Sequence, residues 1–427
     1  MTQKRQLHGS RISFEVLVFV ACIAIFSCAS DPNSMTVKVL SDSNGHRLQV
    51  AGEDFMIFGM NWDYFPIGTN YAYNLWAQPD DIIIAALDRE MSLLKDMGAN
   101  TIRQYNSIPP RWVKYIYEQF GIFTTLNHPF GRYGIMVDNR WVANVDYGDL
   151  QTRKAILADV DSMVGQYQSV PGVLMWLLGN ENNYGLHWNS AESQDLPGQA
   201  EPQIVQAHQL YSLLNEAINS IHTLDNQHPV AIANGDLQYI DIIAEEIKNL
   251  DIFGCNVYRG VSFGDLFDQV EQKLGIPIML TEFGADAYNA SAMIEDQKAQ
   301  ANYLLQNWRE IYEQSSGKGK IGNAIGGLTF QFCDGWWKFG LDSNLDIHDT
   351  HASWTNGGYS EDFIHGQNNM NEEWFGICEK GASDEHGLYQ LYPRAAYFTL
   401  QQIHSLNPCR PSVTLDQIEK HFSEIQL

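Results

Sequence analysis

The chain has 427 residues, 44% hydrophobic and 18% charged, a composition that suits a packed domain and excludes a disordered or fibrous one. Lys and Arg number 26 against 51 Asp and Glu, giving a formal charge of −25. A field of that sign repels phosphate backbones, so nucleic acid is not an expected partner and neutral ligands are the easiest to admit.

Lys4, Arg5 and Arg11 precede an unbroken apolar run from Val16 to Phe26. That run is short for a bilayer span and ends at small residues, the layout of an export signal. Ile25-Phe26-Ser27-Cys28 resembles a bacterial lipoprotein cleavage box, which would make Cys28 the lipidated first residue. Residues 1–28 therefore read as a signal and 29–35 as a tether; 36–410 read as one catalytic domain and 411–427 as a C-terminal tail. The expected location is the outer membrane or periplasm of a Gram-negative bacterium, held by a lipid anchor, with plain secretion as the alternative.

Asn44-Gly45, between Thr36–Leu40 and Leu48–Val50, is a hairpin signal. Beyond it, apolar runs of strand length alternate with stretches of helical period. The strand candidates are Met56–Asn61, Thr101–Tyr105, Ile122–Leu126, Val173–Leu178, Val230–Asn234, Ile252–Val257, Ile276–Thr281 and Ile325–Phe330. Helical patterns between them include Asp80–Met97, Arg111–Phe120, Thr152–Tyr167, Ile204–His222, Phe263–Leu274 and Ala292–Glu313. Eight such units predict an α/β fold, a (β/α)8 TIM barrel with a small N-terminal hairpin. A long connection rich in Trp and Gly starts near Asp334, and a final helix is expected over Ala395–Ile403. Of the later cysteines, Cys255 and Cys333 read as buried thiols, while Cys378 and Cys409 are a possible disulfide pair.

Active sites of such barrels lie at the carboxyl ends of the strands. VLMWLLGNEN delivers Asn180 and Glu181 at the end of the fourth strand, and IPIMLTEFG delivers Glu282 at the end of the seventh. Either Glu alone reads most simply as an ion-pair or capping group, but two at those strand ends suit glycoside hydrolysis. One carboxylic acid protonates the departing oxygen while a second carboxylate meets the developing charge at the sugar carbon; in retaining enzymes the two stand about 5–5.5 Å apart.

These segments resemble the clan A glycoside hydrolases, above all the catalytic barrel of family 2 and the β-1,3-glucan-remodelling barrels. FGMNWD, GNEN, TEFG, EEWFG and YPRAAYFTLQ carry the likeness. It implies Glu181 as acid/base and Glu282 as nucleophile, with Arg103 and Tyr258 supporting Glu282 and Trp336 as an aromatic floor under the sugar. Asn180 is expected to hold the sugar 2-hydroxyl. Asn61, Asp63, Asn127 and His128 follow the first and third strands and are candidates for sugar hydroxyls, structural hydrogen bonding being an equal alternative. Trp337, Trp354 and Trp374 are candidate subsite rings or packing. His348, Asp349 and His351 lack the spacing of a metal site, and neither metal nor cofactor is expected. The chain departs from family 2 in having only a short hairpin before the first strand, which favours a polysaccharide over a terminal sugar as substrate.

The expected activity is retaining hydrolysis of a neutral β-linked glucan, with β-1,3 as a candidate linkage, by double displacement. Transglycosylation by the same residues is the alternative, and a carbohydrate-binding surface protein without turnover is a second.

Overall fold

The computed structural model describes residues 36–105, 108–186 and 201–427. The signal, lipidation site and tether lie outside the described residues. Eight parallel strands close into a barrel: β1 (Ile57–Asn61), β2 (Thr101–Gln104), β3 (Phe123–His128), β4 (Val173–Leu178), β5 (Val230–Gly235), β6 (Ile252–Asn256), β7 (Ile278–Phe283) and β8 (Ala324–Thr329). Each pairs with the next, and β8 returns to β1 through Gly326–Thr329 against Ile57–Met60. Every residue of all eight strands is buried. That is why these strands read as continuous apolar runs: helices cover the outer face and side chains fill the inner one.

The expected hairpin is a three-stranded antiparallel sheet, Val37–Asp42, Gly45–Val50 and Glu53–Phe55. Its Val37, Leu48 and Val50 join one apolar cluster with Ile57, Phe123, Ile252 and Met279 near the amino ends of the strands. The sheet therefore plugs the end of the barrel opposite the strand carboxyl ends. A second, larger cluster lies between strands and helices. The helices start and stop on local chemistry. Asp149 caps Leu150–Tyr167 by accepting from the Thr152 amide at 2.8 Å, and Gly98, at φ 88°, ends Asp80–Met97 with a left-handed turn.

Two expectations are corrected. Residues 411–427 are no loose tail: Leu415–Glu424 is a helix that opens on a Thr414/Gln417 capping box. It buries Ile418 and Phe422, one helical turn apart, with Phe422 edge-on to Tyr312 at 5.1 Å. Cys378 and Cys409 form no disulfide, and all four described cysteines are free. Cys378 opens a two-stranded ribbon, Cys378–Ser383 with Tyr389–Pro393, and its backbone bridges to Cys333 instead. No described helix is long and apolar enough to cross a membrane.

Candidate active site

Glu282 sits on β7 beside Asn256 of β6, only 7% exposed. Three donors reach its carboxylate. Tyr105 OH lies 2.6 Å and Arg103 Nη1 3.1 Å from Oε1, and Tyr258 OH lies 3.1 Å from Oε2. Burial and the Glu282 charge both push the two tyrosines well above the phenol range, so they stay protonated donors. Arg103 is wholly buried and spends its remaining N–H groups on the frame of the site. Nε donates to Asn127 Oδ1 at 2.8 Å, Nη2 to Asn180 Oδ1 at 2.7 Å, and Nη1 also to the Thr281 carbonyl at 3.1 Å. Asn61 completes this layer, its Oδ1 3.1 Å from the Tyr105 hydroxyl oxygen and its Nδ2 donating to the Thr281 and Leu328 carbonyls. One planar guanidinium thus fixes three side chains, from β3, the turn after β4 and β7, which a lysine could not do.

Glu181 is carried differently. After β4 the chain turns at Gly179 (φ 86°), Asn180 and Glu181, and Glu181 itself adopts the left-handed region at φ 54°, ψ 37°. Glycine is required at 179, where a Cβ would meet Asn182 Oδ1 at 2.7 Å. Glu181 has no such freedom, and its conformation is strained by about 1 kcal/mol or more. The turn survives because its flanks are pinned. Asn182 accepts from the Asn180 amide at 2.8 Å and donates to Phe130 O and Tyr147 OH, and Asn183 exchanges two bonds with the Gly235 backbone. Burial first, then the charge of Glu282, raises the Glu181 carboxyl to about 7, against a hydrogen bond from Asn256 and the fields of Arg132 and Arg103. A carboxylic acid near neutrality beside a donor-rich carboxylate is the pairing that separates an acid from a base.

The other groups around the mouth come from loops. Asn180, 7% exposed, gives Nδ2 to Tyr133 OH at 2.8 Å and accepts at Oδ1 from Asn256 Nδ2 at 3.2 Å. Lys338 lies over the rings of Trp337 and Phe330, and its charge is felt by Glu282, Asp63 and Tyr133. Burial raises Asp63 to about 7 despite the opposing charges of Lys338 and Arg103. Trp336 stacks at 4.7 Å on His348, which stacks at 3.8 Å on Trp374. Behind them Arg394 holds Asp334 by two hydrogen bonds, and His348 Nε2 lies 3.7 Å from the same carboxylate.

The structure thus brings Arg103, Asn61, Asn127, Asn180, Tyr258 and Glu282 into one network and sets Glu181 beside it. It takes His128 elsewhere. Alternation along β3 points Asn127 inward and His128 outward, where Nδ1 accepts from the Phe130 amide and Nε2 meets Asp159 at 3.1 Å. Trp337 packs edge-on against Phe65 and Tyr71, Trp374 donates to the Asp349 carbonyl, and Trp354 packs edge-on to Tyr258 while donating to Glu372. His351 stacks on Phe339 and bonds to Asp349. Sequence reasoning missed Tyr105, whose signal was its place two residues after Arg103 on the same face of the strand. It also missed Asn256, Tyr133, Lys338 and Arg132; the last three lie in loops without periodicity.

No family model matches the sequence. The chain is 25% identical over 289 residues to a 1,3-beta-glucanosyltransferase of Saccharomyces cerevisiae, a match spanning 64% of this chain and 54% of that protein. Among solved structures, a GH2 beta-galacturonidase from Eisenbergiella tayi bound to galacturonate superposes with a TM-score of 0.51 at 16% identity, covering 88% of this chain and 54% of that one. The beta-glucuronidase of Bacteroides uniformis gives 0.56 at 14% identity, covering 86% and 37%. The chain therefore spans about half, or less, of the length of these relatives. The closed eight-stranded parallel barrel fits the fold of a clan A TIM-barrel glycoside hydrolase.

Proposed function

We propose that the protein is a retaining β-glycosidase acting on a β-linked glycan, with Glu282 as nucleophile and Glu181 as acid/base. The observation that carries this reading is the opposite treatment of two carboxyl groups at one barrel mouth. Glu282 accepts from three donors, while Glu181 is desolvated and held near neutrality. Glu282 attacks the anomeric carbon as the leaving oxygen takes the proton of Glu181, forming a glycosyl ester on Glu282. Glu181, now a carboxylate, takes a proton from water as the water oxygen attacks that carbon and Glu282 departs. Tyr105, Arg103 and Tyr258 receive the carboxylate charge as the ester breaks. Asn180 offers its side chain to the sugar 2-hydroxyl, sharing that role with Tyr133.

The yeast relative is a 1,3-beta-glucanosyltransferase, which makes a β-1,3-glucan the first substrate to try and transfer to a sugar hydroxyl the second reading. Incubation with laminarin and defined β-glucans should release reducing sugar; products longer than the starting oligosaccharide would assign transfer. No product from any β-glycan, with the fold intact, overturns the assignment. Export as a lipoprotein through Cys28 belongs to the same reading, and palmitate labelling lost in Cys28→Ala tests it.

A further inference from the structure

Arg132 lies in the turn after β3, where its amide donates to the Pro129 carbonyl at 2.9 Å. Its Cζ stands 5.8 Å from the Tyr133 ring, and Nη1 abuts Gly185, where an added Cβ would come within 3.0 Å of it. Nε and Nη2 are buried and have no hydrogen-bond partner. A guanidinium presents five donors and never loses its charge, so buried orphan nitrogens on it are costly. In a chain with 51 acidic residues against 26 basic ones, a purely structural arginine would readily find a carboxylate. Fork-shaped donor groups of this kind match carboxylate and sulfate oxygens two at a time.

The position says where such an anion would sit. Gly185 ends the short helix Asn182–Gly185 that begins directly after Glu181, and the Arg132 charge is felt by Glu181. Since Glu181 protonates the leaving oxygen, the sugar beyond the cleaved bond lies on this side. Tyr133, 49% exposed and bonded to Asn180, stands between Arg132 and the catalytic network.

We propose that Arg132 forms a subsite for an anionic substituent, a carboxylate or a sulfate, on the sugar at the leaving-group side of the cleaved bond. The substrate is then a β-linked glycan whose residue past the scissile bond is acidic. This rests on the glycosidase reading above and deepens it.

The test reads binding, separately from turnover. In Glu282→Gln protein, calorimetry compares β-1,3-glucosyl-glucuronic acid with its carboxamide, and sulfated with plain laminaribiose. The acid should bind about tenfold more tightly than the amide, the range of a charge-assisted hydrogen bond, and Arg132→Gln in that background should equalise the two. A preference for the sulfated sugar but not the acid assigns sulfate as the anion. Equal affinities for both pairs, no binding of any of the four, or a preference that survives Arg132→Gln overturns the subsite, the last placing the anion at another cation such as Lys338. Should Arg132→Gln fail to melt cooperatively, Arg132→Lys carries the test: losing the planar fork should cut the preference about threefold or more, and no change overturns the subsite. Turnover of laminarin by the unaltered protein reports on the glycosidase reading whatever the binding shows.

Discussion

Glu282 and Glu181 open into the same mouth, yet the barrel holds them by different means. Glu282 belongs to a strand, with its backbone in the β6–β7 ladder and its carboxylate met by three donors, from β2, the residue just after it and the loop after β6. Glu181 stands on a left-handed turn outside the strands, pinned by Asn182 and Asn183 and pushed toward the neutral acid by burial. The difference teaches that one site can give two like groups opposite surroundings by donor count and desolvation rather than by residue type, and the proposed mechanism turns that contrast into two tasks.

The largest effect that would break this comparison is Glu282→Gln, which should lower kcat by at least about 10⁴-fold, more than 5 kcal/mol of barrier. Steady-state kinetics on a nitrophenyl β-glycoside checks it, and unchanged turnover would move the nucleophile elsewhere. Glu181→Gln should cost about 10²–10⁴-fold on a glycoside with a poor leaving group but far less on a nitrophenolate, which departs without a proton. The same variant sharpens the contrast through pH. In the proposed mechanism Glu181 is protonated in the first step, and its carboxyl lies at about 7, so the alkaline limb of kcat/KM should fall as pH rises through that value and vanish in Glu181→Gln when the nitrophenyl substrate is used. For folding the sign is parallel: a carboxyl raised in the native state favours that state below its unfolded value and loses the advantage as pH rises through about 7. Glu181→Gln should therefore melt higher than the parent at pH 8 and show no gain at pH 4.

Arg103→Met leaves Glu282 and Asn180 without their shared donor in a buried layer, and should destabilise by about 3–5 kcal/mol in urea titration while abolishing activity. Tyr105→Phe removes one of the three donors and should cost about 1–2 kcal/mol in kcat, roughly tenfold, with KM little changed. His128→Asn is the smallest test. It should leave kcat unaltered and cost about 1 kcal/mol of stability, because this ring bonds to Asp159 and the Phe130 amide rather than to substrate.

Much of the site could be read along the chain because a barrel ends its strands where its chemistry begins. A polar residue after VLMWLL or IPIML has few places to go except the mouth, and that placed Asn180, Glu181 and Glu282. Pleat alternation would also have exchanged His128 for Asn127 and added Tyr105 to Arg103, had it been carried to the last residue of each strand. Lys338, Tyr133 and Arg132 were beyond such reasoning, since loop side chains are placed by whatever they meet. The tail expected after 410 failed for a related cause: Ile418 and Phe422 form a helical stripe whose value appears only with Tyr312 opposite.

By itself the sequence determined the strand count, the order of the elements and the two carboxyl groups, because burial on both faces of a parallel barrel imposes long apolar runs with polar ends. The tertiary structure alone decided which donors surround each carboxyl group and how dry each one is. Proton affinity depends on neighbours within a few ångströms, and those come from strands and loops far apart in the chain.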